Sequence, residues 1–90
     1  MLKQAKVLIK GDVIGVGFRA WTVIQAKNND VKGWVRNVFP NVEALLQGRE
    51  SKIKQMLTKL KEGSPVGRVD EVKITWEEPQ EVFSDFAITG

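Results

Sequence analysis

The sequence predicts an α+β sandwich in which two helices cover one face of a mainly antiparallel sheet of four to five strands. Three observations predict it. Apolar residues alternate with the two-residue period of strands at Ala5 to Ile9, Val31 to Asn37, Val42 to Leu46 and Val72 to Trp76. Two intervening segments, from Phe18 to Asn29 and from Ser51 onward, run without Gly or Pro for about the length of a globular helix. The second and third strands are joined by a connection short enough for a hairpin. The resulting order, β-α-β-β-α-β with a further terminal strand, combined with right-handed crossovers, gives the split β-α-β or ferredoxin-like arrangement.

The elements follow in order. Ala5, Val7 and Ile9 share one side of the first strand. The first helix carries Ala20, Trp21, Val23, Ile24 and Ala26 around much of its circumference, so the sequence does not single out its buried face. Asn28-Asn29-Asp30 ends it, because Asn and Asp tolerate the left-handed cap conformation. Val31, Gly33, Val35 and Asn37 share one side of the second strand, and Phe39-Pro40-Asn41 makes the turn. Val42, Ala44 and Leu46 form the third strand, which Gly48 ends. Ser51 is a candidate N-cap for the second helix, whose Ile53, Met56, Leu57 and Leu60 fall at i, i+3, i+4 and i+7. Gly63-Ser64-Pro65 stops that helix. Val72, Ile74 and Trp76 mark a fourth strand, and Val82 to Thr89, with Phe83, Phe86 and Ile88, a fifth.

Composition narrows the chemistry. Ninety residues with 42% hydrophobic content make one domain, 1–90, with a modest core. The chain has no Cys, which excludes disulfides, thiolate-ligated metals and a thiolate nucleophile. It has no His, which excludes a Ser-His-Asp triad and the usual general base near neutral pH. No metal site and no cofactor are expected. A net charge of +3 favours anionic ligands, but the lysines are scattered as solvated faces require. No aromatic RNA-recognition signature is present, so no nucleic-acid partner is expected. The absence of a signal peptide or membrane-length apolar run points to a cytoplasmic protein with no membrane partner.

The segment Gly11-Asp12-Val13-Ile14-Gly15-Val16-Gly17-Phe18-Arg19 joins a strand to a helix and concentrates the chemistry. Glycine lets backbone N–H groups approach a ligand, a helix N-terminus offers unpaired donors, and arginine grips a phosphate or carboxylate with two hydrogen bonds. Together they make a seat for an anion, most naturally phosphate. The glycines alone also fit a plain turn. Neither the dinucleotide fingerprint nor the Walker A pattern is met. Asn37, at a strand end, can hold a water in line with a bound phosphate, or can bond to its own turn. Arg36 alternates to the opposite side and fits a solvated or cross-strand paired residue.

Gly15-Val16-Gly17-Phe18-Arg19 and Gly33-Trp34-Val35-Arg36-Asn37, separated by one helix, resemble the two signatures of the acylphosphatase family. Val42-Glu43, Gly48, Gly63-Ser64-Pro65 and Phe83-Ser84-Asp85-Phe86 extend the resemblance over nearly the whole chain. The resemblance implies hydrolysis of acyl phosphates to a carboxylate and inorganic phosphate without metal. It implies that Arg19 binds the phosphoryl group, that Asn37 orients the attacking water, and that the amides of Ile14, Gly15, Val16, Gly17 and Phe18 complete the cradle. Inorganic phosphate is then both product and competitive inhibitor, and the protein a monomer. The alternative is a module that holds phosphate or carbamoyl phosphate without turnover. The chain departs from the family's usual pattern at Ile14, where glutamine is common, at Asn29, where an apolar residue is usual and the helix end weakens, and at Phe39-Pro40-Asn41.

Overall fold

The computed structural model describes residues 1–65 and 67–90. The chain runs β1 (Lys3–Asp12), α1 (Phe18–Asn28), β2 (Lys32–Val38), β3 (Asn41–Gly48), α2 (Glu50–Glu62), β4 (Arg68–Glu77) and β5 (Phe86–Ile88). The strands form one five-stranded sheet in the order β4-β1-β3-β2-β5. Every pairing is antiparallel except that of β2 with β5. The expected α+β arrangement is what forms.

Alternation fixes the two faces. Ala5, Val7 and Ile9 on β1 stand opposite Leu46, Ala44 and Val42 on β3, and all six are fully buried. From α2, Ile53, Met56, Leu57 and Leu60 close over this layer, each no more than 5% exposed, as their spacing predicts. The buried face of α1, which the sequence leaves open, is Phe18, Thr22 and Ala26. This face includes a threonine because the Thr22 hydroxyl donates to the Phe18 carbonyl at 2.8 Å, so its burial leaves no unpaired donor. Ile24 consequently faces solvent at 57% exposure.

The central strands are longer than their apolar runs. β1 reaches Lys3–Asp12 because partners on both sides extend its ladder beyond the alternating core. β5 is shorter than Val82 to Thr89. The Phe83 N–H donates to Gln47 Oε1 at 2.9 Å, and Gln47 Nε2 donates to the Glu81 carbonyl at 2.7 Å. The chain there is tied to a buried glutamine on β3, and pairing begins only at Phe86 beside Gly33. Ser51 is not the N-cap of α2. That position is Arg49, whose carbonyl accepts from both Lys52 and Ile53, because the helix starts two residues earlier than a Ser51 cap implies, with Glu50 in its first turn. At the end of α1, Asp30 takes the left-handed conformation with φ 56°, and Asn29 Nδ2 donates to the Gln25 carbonyl at 2.7 Å. Asn29 thus satisfies a terminal carbonyl, and the polar residue supports the helix end it was expected to weaken.

Gly33 is required by close approach. A Cβ there would overlap the Leu45 carbonyl oxygen, and its φ of 132° lies where side chains are disfavoured. Its own N–H donates to the Asp85 carbonyl at 3.0 Å, so one residue joins β2 to both neighbours.

Candidate active site

The site begins where β1 ends. Val13 is buried at 2% exposure, and the chain then turns through Ile14 to Gly17 before α1 starts at Phe18. Gly15 and Gly17 adopt φ values of 76° and 77°. Those left-handed conformations cost a glycine little and an L side chain about 1–2 kcal/mol. Among the described residues, the amides of Ile14, Gly15, Val16 and Gly17 donate to no backbone carbonyl. Gly17 occupies the N-cap position of α1 with no side-chain cap, and no acidic residue lies in the first turn. The positive end of the helix dipole and a run of unclaimed N–H donors therefore lie together. This is the arrangement that binds anions.

Arg19 follows in the first turn of α1. It is half-buried and has no ion-pair partner among the described residues, whereas Arg36 and Arg68 both pair with carboxylates. Arg36 behaves as its alternation predicts. Its Nη2 lies 2.7 Å from Glu43 Oε1, directly across the β2–β3 ladder, and its guanidinium carbon sits 4.9 Å from the centroid of the Trp34 ring. It belongs to the face of the sheet away from the helices.

Asn37 is brought to the same end of the sheet by the antiparallel register. Ile9, near the end of β1, pairs with Val42, and Val42 pairs with Asn37. The C-terminal ends of β1 and β2 are thus separated by one strand. Asn37 shares its side of β2 with the fully buried Val35, which places it on the helix-covered face. Its Oδ1 is buried and has no hydrogen-bond partner. An asparagine that merely closes its own turn accepts a backbone N–H through this oxygen. Asn37 does not, which leaves a buried acceptor for another group.

One contributor escapes the sequence reading. A Cβ at Gly67 would lie 3.4 Å from Val16 Cγ2 and 3.2 Å from the Asp12 carbonyl, so the connection from α2 to β4 packs on the flank of the loop. Nothing local to Gly67 signals this, because the contact is made across the fold. Among the described residues, no group of three His, Cys, Asp or Glu could hold a metal ion, and no helix is long and apolar enough to cross a membrane.

The family model for acylphosphatase matches residues 5–88. The chain is 40% identical over 80 residues to an acylphosphatase of Moorella thermoacetica, covering 88% of this chain and 86% of that one. It is 39% identical over 89 residues to an acylphosphatase of Pyrobaculum aerophilum, covering 97% and 94%. The crystal structure of acylphosphatase from Bacillus subtilis superposes with a TM-score of 0.93 at 32% identity, over the full length of both chains.

Proposed function

This chain belongs to the acylphosphatase family and is an acyl phosphate hydrolase, and from that premise we propose how its own residues perform the reaction. The phosphoryl group sits on the backbone amides of Ile14, Gly15, Val16, Gly17 and Phe18, with its charge countered by the Arg19 guanidinium and the N-terminus of α1. Asn37 Oδ1 accepts a hydrogen bond from the attacking water and directs a water lone pair at phosphorus. The P–O bond to the acyl group breaks as the new P–O bond forms, and the acyl group leaves as a carboxylate. The water proton passes to the phosphate itself. The chain lacks a histidine or cysteine for that task, and a carboxylate leaving group does not require a strong acid. Catalysis then comes from positioning and from fixed charge around the phosphoryl oxygens.

The buried, unpartnered Asn37 Oδ1 is the main support for this reading. A buried acceptor without a partner costs about 1–3 kcal/mol, and one water donor removes that cost. The same reading takes residues 1–90 as one catalytic domain, a monomer acting in the cytoplasm.

The test is hydrolysis of acetyl phosphate with and without a chelator, with inorganic phosphate titrated in. Turnover should be unaffected by the chelator and inhibited competitively by phosphate. Activity lost in chelator and restored by a divalent ion overturns the metal-free scheme. Phosphate binding without turnover favours the alternative, a module that only holds the anion.

A further inference from the structure

We propose that Ile14 and Val16 are positioning residues for the reaction, holding the phosphate loop in its anion-binding shape through side-chain packing. The proposal rests on the loop being the phosphate seat and goes on to say what keeps that seat in shape.

Most tight loops are shaped by their own backbone hydrogen bonds. This one is not, since the amides of residues 14–17 donate to no backbone carbonyl among the described residues. A loop that keeps its donors for a ligand must be shaped by something else. The glycines do not supply it. Apart from its chain neighbours, nothing lies within 4 Å of a Cβ placed on Gly15 or Gly17, so the glycines provide the turn angles with open space on that side. Rigidity therefore falls to the apolar residues beside them. Val13 is buried, and Ile14 and Val16 are half-buried and pack against the core cluster. A Cβ placed on Gly67 would lie 3.4 Å from Val16 Cγ2, so the chain at Gly67 runs close beside this side chain. The loop thus alternates apolar anchors with glycines. Both anchors are β-branched, with few accessible χ1 states, so seating the side chain also fixes the backbone that carries it. At Ile14 an apolar anchor stands where the resembled pattern commonly has glutamine, so in this chain the loop is fixed there by packing.

The inference predicts a defect in anion binding from side chains that never touch the anion. Loss of either anchor lets the amides diverge, and misplacement of about 1 Å can lower rates on the order of 10²-fold. The experiment uses the full chain with Ile14→Ala, Val16→Ala and the conservative Ile14→Val and Val16→Ile. For each, the inhibition constant of inorganic phosphate, KM and kcat for acetyl phosphate, and Tm are measured. The alanine variants should raise the phosphate inhibition constant and KM together by about 3- to 30-fold, a fraction of that ceiling. The β-branched variants should lose clearly less than the alanine variants at the same position, because they keep the anchor. Alanine variants that lose Tm but keep wild-type phosphate inhibition and KM overturn the proposal, since packing would then serve stability alone. A wild-type enzyme that turns over acetyl phosphate without competition from phosphate overturns the seat and this proposal together. Competition in the wild type with unchanged constants in the variants overturns this proposal alone.

Discussion

Replacing Asn37 with alanine separates catalysis from stability. Oδ1 is buried without a protein partner, so alanine breaks no hydrogen bond of this oxygen within the protein and loses only the packing of the amide, on the order of 1 kcal/mol. Stability should therefore fall by no more than about 1 kcal/mol, a Tm shift within roughly 4–8 °C for a domain of this size. Catalysis should respond quite differently. If the amide holds the nucleophilic water, its loss removes one preorganised polar group, worth about 10²- to 10³-fold in kcat. Phosphate affinity should change less than about 2-fold, because Arg19 and the loop amides remain. The assay is continuous hydrolysis of acetyl phosphate, combined with thermal melting and phosphate inhibition on the same preparation. A large fall in Tm with kcat of the folded fraction preserved would show that Asn37 shapes the turn before Pro40. A stable variant with unchanged kcat would remove it from the mechanism.

Two further positions test other parts of the molecule. Arg19→Ala should weaken phosphate inhibition and kcat/KM together, by about 10²-fold or more for a charge-assisted contact. Arg19→Lys should recover only part of this, because a point charge does not reproduce the bidentate fork; wild-type kinetics in the lysine variant would refute the geometric role. Gly33→Ala should destabilise the protein by at least about 2–3 kcal/mol, since the new Cβ meets the Leu45 carbonyl and the backbone is already at positive φ. A melting temperature within about 3 °C of wild type, against the roughly 4–8 °C expected per kcal/mol, would show that β2 and β3 can separate there at little cost.

The layers, most of the elements and the available chemistry were legible in the amino-acid sequence. Strand alternation and the Ile53, Met56, Leu57, Leu60 stripe are local patterns, and they read correctly because burial acts residue by residue along one element. The missing Cys and His restrict the mechanism on composition alone. What depends on partners was decided by the packed chain. Packing selected Phe18, Thr22 and Ala26 as the buried face of α1, where local hydrophobicity pointed in several directions. It shortened β5 by tying residues 81 and 83 to Gln47, a residue more than thirty positions away. It moved the N-cap of α2 from Ser51 to Arg49. Above all, it set Asn37 at the same end of the sheet as the end of β1, one strand away, through the Ile9–Val42–Asn37 register, and left its oxygen buried without a partner. A sequence shows which groups can form hydrogen bonds. Which of them remain unpaired once the chain is packed depends on every neighbour at once, and that is settled only when distant strands are in register.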